Sequence, residues 1–230
     1  MNPRVGTVIF DFDYTLADSS RGIVESVNYA LLRLGLPQVT PQRICSTIGL
    51  SLPAVLDELV GSQYAGLSDA FSKFFIQRAD EVMVDRTVVL DGVPETLRIL
   101  KGQGLSTGIV STKFRRRIES IFRRENLLDW IDIIVGSEDV SVHKPDPEGL
   151  LLAVKHLGNR PGGCLYVGDS VVDAQTAASA GVRFVAVLSG VTPPEHFSLY
   201  QVDRILQRVT ELPPFLCEVN HRNDQGVSSC

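Results

Sequence analysis

From residue 93 to residue 188, helical and strand patterns alternate along the chain. Amphipathic periodicity predicts helices over 93–103, 113–125, 147–158 and 171–180. Short apolar segments beside them predict strands: "LSTGIV", "IDIIVG", "CLYVG" and "RFVAVL". Because strands joined by helical crossovers pair in parallel, the pattern predicts an α/β fold: a Rossmann-like parallel sheet with helices on both faces.

The segment from about 20 to 85 shows helical periodicity only, with apolar stripes such as Phe71, Phe75 and Ala79. A strand is predicted before it, at about 5–10, so the segment is a small all-α insertion after the first strand. The predicted domains are an α/β core of residues 1–16 and 90–216, a helical domain of residues 17–89, and a disordered polar tail of residues 217–230.

Composition and charge exclude several classes of protein. With 44% hydrophobic and 21% charged residues, the sequence is neither fibrous nor disordered. The net charge of −5 gives no electrostatic footprint for nucleic acid or an anionic membrane. No apolar run approaches the ~18 residues that span a bilayer, and the first strand begins too early for a signal peptide. We expect a cytoplasmic protein with reduced cysteines and no nucleic-acid or membrane partner; its oligomeric state, monomer or dimer, is open.

One basic cluster is a local exception to the acidic balance. It contains Lys113, Arg115, Arg116, Arg117, Arg123 and Arg124. Apolar residues recur among these positions at helical spacing, so we interpret the cluster as the solvated basic face of a helix.

Polar residues follow the predicted strands where each strand ends. They are Asp11 and Asp13, then Ser111 and Thr112, then Lys144, and finally Asp169, Ser170 and Asp173. In open parallel sheets the carboxyl ends of the strands meet at one edge, and ligands bind there. These side chains are therefore candidates for a single site.

The same residue types have a simpler explanation as helix caps. Helix capping can explain three pairs: Asp11 with Asp13, Ser111 with Thr112, and Ser170 with Asp173. The last pair has the spacing of a capping box. Asp18 fits a cap better than a site because it lies just before the first helix of the insertion. A calcium loop is a poor alternative for the first pair, because Leu16 stands where such a loop needs glycine. Lys144 could be an ordinary surface lysine.

The set as a whole favours a site. Three or four carboxylates, a hydroxyl and a lysine at one sheet edge would repel and desolvate one another unless a cation and an anion joined them. A hard divalent ion such as Mg²⁺ together with a phosphoryl group satisfies these residues.

The residues identify a family resemblance. "DFDYTLADS", "GIVSTK", "HKPDPE" and "VGDSVVD" match, in order, the four motifs of phosphohydrolases of the haloacid dehalogenase superfamily. The resemblance runs from residue 5 to about 216, and "DGVPETLRILKGQG" and "ASAGVRFVAVLSG" are similar to its phosphoglycolate phosphatase and pyrophosphatase branch. It implies a Mg²⁺-dependent phosphatase for a small phosphorylated molecule, with the helical insertion as a cap over the site.

The resemblance also implies a role for each edge residue. Asp11 would be the nucleophile that forms an aspartyl-phosphate, and Asp13 the acid that protonates the leaving group and later activates water. The metal would be bound by Asp11, Asp169 and the backbone carbonyl of Asp13, with Asp173 and Thr15 supporting the site. The phosphoryl oxygens would be held by Ser111 and the catalytic Lys144, helped by Thr112; Ser111 is preferred to Thr112 because it is the first polar residue after the strand.

The cap carries weaker candidates. Residues 47–53, "TIGLSLP", resemble a specificity loop, although a plain turn explains them equally well. Arg43 is near enough in sequence to contact a second anionic group. Tyr14 stands where most relatives have glycine, so either the loop needs no special backbone freedom or the ring packs against the cap and shapes the entrance.

The sequence leaves the substrate open among phosphoglycolate, pyrophosphate, a sugar phosphate and a nucleotide. An inorganic pyrophosphatase and a phosphoglucomutase-type phosphotransferase are the alternative activities. Outside enzymes, the alternatives are a receiver-like module in which Asp11 accepts a phosphoryl group as a switch, and a binding protein with an inactive site.

Overall fold

The computed structural model describes residues 4–227, with side chains up to residue 221. Its strands are β1 (Thr7–Phe10), β2 (Ala17–Asp18), β3 (Val88–Val89), β4 (Ser106–Val110), β5 (Ile133–Val135), β6 (Cys164–Gly168), β7 (Arg183–Val187) and β8 (Arg204–Leu206). Six of them form a parallel sheet in the order β5, β4, β1, β6, β7, β8. The short strands β2 and β3 form a separate antiparallel pair. The predicted parallel sheet is confirmed.

Helices cover both faces of this sheet, as predicted. They are α1 (Ser20–Arg33), α2 (Pro41–Cys45), α3 (Leu52–Val60), α4 (Ser68–Arg86), α5 (Val93–Gly102), α6 (Arg115–Arg124), α7 (Glu148–His156), α8 (Val171–Ala180) and α9 (Leu212–Val227). Buried residues of α5, α6 and α9 share one apolar cluster, and those of α7 and α8 share another on the opposite face.

Strand β1 lies at the centre of the sheet because its side chains are apolar on both faces. Val8 and Phe10 belong to the cluster under α5 and α6, whereas Ile9 belongs to the cluster under α7 and α8. This alternation is the period of a strand, and burial of both faces explains its continuous apolar sequence. The central position puts the residues that follow Phe10 in the middle of the carboxyl edge.

The insertion has its own apolar core. Between β2 and β3 lie helices α1 to α4, and their largest fully buried side chains include Leu31, Ile44, Leu56 and Phe71. We refer to these four helices and their loops as the cap. The domain boundaries given above remain a prediction.

The tail differs from the expectation of disorder, because α9 continues to Val227. The start of this helix buries Phe215 and Leu216 against the core, and the side chain of Asn220 bonds both the N–H and the carbonyl of Val5, at 2.9 and 3.2 Å. The first turn of α9 is apolar and lies before residue 217, whereas the predicted tail that follows is polar. The composition of the tail alone therefore did not predict the helix. Residues 228–230 of the predicted tail lie outside the described residues.

Strand β8 at the sheet edge was also not predicted; it pairs with β7. None of the helices in the described residues is long and apolar enough to cross a membrane. Cys45, Cys164 and Cys217 are free thiols, and Cys230 lies outside the part of the chain that the structure describes.

Candidate active site

The loop after β1 carries two buried carboxylates to the sheet edge. Asp11 continues the strand, since its N–H donates to the carbonyl of Val167 at 2.8 Å. The ring of Phe12 points into the core, 5.6 Å from the ring of Phe122. The carboxylates of Asp11 and Asp13 are both buried.

Tyr14 adopts a left-handed backbone conformation, with φ 61°. The expectation that this loop needs no glycine-like freedom is therefore wrong, because an L-residue pays a steric penalty there. Its carbonyl accepts a hydrogen bond from the hydroxyl of Ser189. Burial, followed by the Cys45 thiol of α2 beside its hydroxyl, raises the pKa of Tyr14. The hydroxyl thus lies beside the cap, and the hypothesis that the ring shapes the entrance stays a prediction.

Lys144 lies buried between two carboxylates. Its Nζ is 2.9 Å from Asp11 Oδ1 and 2.6 Å from Asp173 Oδ1. The turn that holds it is fixed by Asp146, whose Oδ1 accepts a hydrogen bond from the N–H of Glu148 at 2.9 Å. Lys144 is therefore part of the site and not a surface lysine.

Sequence reasoning missed Tyr166 on β6, which is fully buried behind this ion pair. Its hydroxyl accepts from Lys144 Nζ at 3.3 Å and donates to Asp173 Oδ1 at 3.0 Å. It therefore fixes the position of both partners. The one signal in the sequence is its place on the strand that ends before Asp169. Its residue type alone does not distinguish it from an ordinary core aromatic.

Ser170 and Asp173 form the predicted capping box at the start of α8. The N–H of Asp173 donates to Ser170 Oγ at 3.2 Å, and the N–H of Ser170 donates to Asp173 Oδ2 at 3.1 Å. Since Asp173 also pairs with Lys144, its carboxylate caps a helix and orients the lysine at once. The cap predicted from the sequence is present, and the role of Asp173 in a functional site stays a prediction.

Asp169 is buried beside them and is not a cap. Its Oδ1 accepts a hydrogen bond from the hydroxyl of Thr15 at 3.3 Å. The backbone of Gly190 passes so close that a Cβ there would lie 1.9 Å from Asp169 Oδ2. Thr15 and Gly190 together confine this carboxylate at the sheet edge.

Asp11, Asp169 and Asp173 offer carboxylate oxygens that all lie within 4.8 Å of one another. Burial, with the Asp11 and Asp173 charges adding to it, raises the pKa of Asp169 well above its usual range. Burial likewise raises the pKa of Asp11 from 3.8 to about 7, although Lys144 opposes the change. Burial would lower the pKa of Lys144, but the attraction of Asp11 and Asp173 raises it. The cluster carries more negative charge than its lysine offsets.

These residues fit a divalent cation. Asp11 Oδ1 and Asp13 Oδ1 are buried and have no hydrogen-bond donor among the described residues, although Lys144 Nζ is near the first of them. A hard cation would satisfy Asp11 Oδ1 and relieve the repulsion between Asp11 and Asp169. The Asp13 carboxylate is not part of the cluster, so its predicted part in metal binding rests on its backbone carbonyl alone.

Ser111 and Thr112 follow β4 at the same edge. Ser111 is buried, and its Oγ accepts a hydrogen bond from the N–H of Lys113 at 3.2 Å. Ser111, Thr112 and Lys144 line one small cavity of about 10 Å³, so the three predicted phosphoryl-binding residues are neighbours. Because both residues line this cavity, its lining does not favour the Ser111 hydroxyl over the Thr112 hydroxyl as the phosphoryl ligand.

Lys113 is a second residue that sequence reasoning missed. It was assigned to the solvated basic cluster, but it is buried and its Nζ lies 3.1 Å from Asp13 Oδ2. The available signal was its position, three residues past the end of a strand in the "STK" segment.

Three arginines of the basic cluster also differ from the prediction, because they contact the cap, whereas Arg115 pairs with Asp139 of the core and Arg123 is exposed. Arg117 is buried, and both Arg116 and Arg117 bind Asp80 of α4 at 2.7 Å. Arg124 donates to the carbonyl of Thr87 at 2.7 Å. Helix α6 therefore holds the cap against the core, and its basic side is an intramolecular interface.

A cavity of about 300 Å³ lies between cap and core beside Asp13. All residues of the 47–53 loop line it, together with Thr112 and Lys113 from the core. Gly49 at the tip of that loop comes near Ser170, since a Cβ there would be 3.8 Å from the serine Oγ. Arg43 lies elsewhere, with its guanidinium donating to the carbonyl of Glu58 at 3.1 Å. The loop thus faces the site, and Arg43 does not.

Comparisons with known proteins agree with this arrangement. Residues 8–187 match the family model "Haloacid dehalogenase-like hydrolase". Phosphoglycolate phosphatase of Escherichia coli (strain K12) is 29% identical over 243 aligned positions, which cover 95% of each chain. Pyrophosphatase PpaX of Bacillus cereus (strain AH820) is 30% identical over 217 positions, covering 94% of this chain and 99% of that one. A crystal structure from Bacteroides fragilis, assigned to the haloacid dehalogenase-like hydrolases, has 45% identity and a TM-score of 0.88 over 91% of this chain and all of its own.

Sheet, acidic edge and relatives together define an α/β phosphatase whose substrate is a small phosphorylated molecule. The chain belongs to the haloacid dehalogenase-like hydrolase family.

Proposed function

We propose that this chain is a Mg²⁺-dependent phosphatase that hydrolyses a small phosphomonoester through an aspartyl-phosphate on Asp11. One observation carries the proposal: the buried Asp11 carboxylate lies 2.9 Å from Lys144 and within 4.8 Å of carboxylate oxygens of Asp169 and Asp173. A nucleophilic carboxylate must be ionised and must approach a phosphoryl dianion. Both requirements need positive charge at this spot.

The site residues divide the chemistry between them. Asp11 attacks phosphorus, the bond from phosphorus to the leaving-group oxygen breaks, and that oxygen takes the proton of Asp13. A water then gives its proton to Asp13 and attacks phosphorus, which releases phosphate and frees the Asp11 carboxylate. Lys144, Ser111 and Thr112 bind the phosphoryl oxygens through both steps.

Asp11, Asp169 and the Asp13 carbonyl are the residues that would hold Mg²⁺, which would offset the charge of the phosphoryl group. Asp173 orients Lys144 at 2.6 Å, and Thr15 orients Asp169 at 3.3 Å. The aspartates therefore differ in role because their neighbours differ.

Phosphoglycolate and pyrophosphate, the substrates in the printed names of the relatives, are the first candidates. A phosphotransferase of the phosphoglucomutase type would use the same first step and return the phosphoryl group to the substrate. Hydrolysis in ¹⁸O-labelled water separates the two, since only hydrolysis puts the label into free phosphate.

The direct test is a panel of phosphoesters with and without Mg²⁺, using Asp11→Asn. We expect turnover that requires the metal and falls at least ~10⁴-fold in the variant, because the nucleophile is lost. Asp18→Asn is the matched control: Asp18 accepts a hydrogen bond from the N–H of Ser20 at 2.8 Å, and asparagine caps a helix equally well. Activity that survives Asp11→Asn, or that ignores Mg²⁺, would contradict the proposal.

A further inference from the structure

The cavity beside Asp13 indicates what kind of leaving group the substrate carries. Resting on the proposed phosphatase function, we propose that the substrate is a phosphomonoester with an uncharged and largely apolar leaving group, larger than glycolate. The phosphate would sit at the sheet edge, and the organic part would fill the cavity under the cap.

Most of the cap wall of this cavity is apolar, and Thr47, Ser51 and Ser72 are its polar residues. Side chains from all of its sides contribute: Val27 of α1, Leu50 of the loop, Leu52 and Val55 of α3, and Phe75 and Met83 of α4. Every residue that the cap contributes to the lining is uncharged. An apolar group placed here gains ~25 cal/mol for each Å² removed from water, whereas a carboxylate would lose its hydration without a partner.

The core wall does not supply a free cation either. Of the basic residues in the described lining, Lys113 is paired with Asp13 at 3.1 Å and Arg117 with Asp80 at 2.7 Å. His143 is the third, a single half-buried imidazole from the segment before Lys144. Arg43, the candidate for a second anionic group, is hydrogen-bonded to Glu58 away from the cavity. A distal carboxylate or phosphate would therefore meet two cations that each already contact a carboxylate, Arg117 sharing Asp80 with Arg116.

The size of the cavity also favours a leaving group larger than glycolate. Its volume of about 300 Å³ equals ~10 water molecules at ~30 Å³ each. That is at the lower end of the usual range for small-molecule sites. Glycolate has five non-hydrogen atoms and would leave most of this space to water, which an apolar wall binds poorly. An aryl group or a longer branched alkyl group occupies more of it.

The decisive comparison is between two esters of the same shape and different charge. Isobutyl phosphate has an isopropyl group where phosphoglycolate has its carboxylate, with two methyl groups in place of the two oxygens, and benzyl phosphate carries a larger apolar group. With Mg²⁺ and the full chain, we expect kcat/KM for isobutyl phosphate to exceed that for phosphoglycolate at least tenfold, and benzyl phosphate to be better still. Equal or higher kcat/KM for phosphoglycolate overturns the inference and leaves the proposed phosphatase function intact.

A cap variant makes the test independent of intrinsic ester reactivity. Ile48 lines the cavity, is half-buried and does not belong to the apolar core of the cap. Ile48→Arg is expected to shift the ratio of the two kcat/KM values at least tenfold toward phosphoglycolate, whereas Ile48→Gln, of similar size and no charge, is expected to shift it less than threefold.

Leu32→Arg is the control for an added charge, because Leu32 is 63% exposed on the outside of α1. It should leave the ratio unchanged. An identical shift in Ile48→Arg and Leu32→Arg would overturn the inference, since the effect would then come from net charge. Inactivity on every ester in the presence of Mg²⁺ overturns the proposed function, and this inference with it.

Discussion

Lys144 offsets only part of the charge of its neighbours, because one ammonium faces the carboxylates of Asp11, Asp169 and Asp173. Burial makes this excess of negative charge costly. Burial is therefore the main reason why the pKa of Asp11 rises to about 7. A site built to receive a cation and a phosphoryl group is thus unfavourable when it holds neither. Function and stability oppose each other at Asp11.

Asp11→Asn should therefore stabilise the metal-free protein at alkaline pH. The pKa of Asp11 is about 7 in the folded state against an ordinary 3.8, so between these values the folded state holds a proton that the unfolded chain has lost. Stability then falls as pH rises through this window and levels off above it. The variant lacks this loss, and we expect it to gain ~1–2 kcal/mol at pH 8, or ~2–8 °C in Tm.

Thermal unfolding in EDTA from pH 4.5 to 8.5 measures the difference. The gain should shrink as pH falls from about 7 toward 3.8, because Asp11 of the wild-type protein is then increasingly protonated in the folded state. Asp169, whose pKa is also raised by burial, leaves a residual slope of the same sign in the variant. A gain that does not change with pH would show that lost charge is not its cause.

Among the helices, the contact between α6 and α4 is the main polar connection from core to cap. Arg117 is 5% exposed and Asp80 42% exposed in this pair, and Arg116 shares the same carboxylate. Burial lowers the pKa of Arg117 while Asp80 opposes the change, as expected of a buried cation with one strong partner. The partner matters more to the folded state than an exposed ion pair would.

Asp80→Asn is expected to destabilise the protein by ~1–3 kcal/mol, less than for a fully buried pair because water reaches Asp80. Urea unfolding measures the change. Glu95→Gln is the matched control, since it breaks an exposed pair with Arg98, whose side chains are 57% and 62% exposed, and should cost at most ~1 kcal/mol. Equal effects of both substitutions would mean that the burial of Arg117 adds nothing.

The elements that the sequence predicted well are those whose signal is local. Strand β6 and helix α8 were placed within a residue or two, because an apolar run and a capping box lie in consecutive positions. The edge residues Asp11 and Lys144 followed from the rule that parallel strands end at one edge. Motif order then supplied the chemistry that spacing alone left open.

The elements and residues that it missed depend on distant partners. The burial of Lys113 and Arg117 requires Asp13 and Asp80, which lie far away in the sequence, so a local pattern of basic and apolar residues suggested a solvated face. Helix α9 extends through a polar stretch because its start is anchored on the core. Tertiary contacts override local composition in each case.

In the whole molecule, cap and core have separate apolar clusters, and the cavity lies between them. The core supplies the charged groups and the cap an uncharged wall, so in the proposed complex charge binds the phosphoryl group and the cap buries the leaving group. The strand pair β2 and β3 forms the two chain crossings between these parts. Because of this division, substitutions in the cap wall can change which leaving group is accepted while the residues at the sheet edge keep the same chemistry.

The final prediction concerns the response of the whole chain to Mg²⁺. A cation that binds only the folded state stabilises it by about 2.7 kcal/mol at 100 times its Kd, which corresponds to a rise of ~5–10 °C in Tm for a chain of this size. We expect that rise at pH 8, and a smaller one at pH 5.5, because the pKa of Asp11 is about 7 and a protonated carboxyl group is a poor ligand.

Asp169→Asn should abolish most of the rise, whereas Asp18→Asn should retain it, since Asp18 caps α1. An equal rise in wild-type protein and Asp169→Asn would place the cation elsewhere, and a larger rise at pH 5.5 than at pH 8 would exclude Asp11 as its ligand.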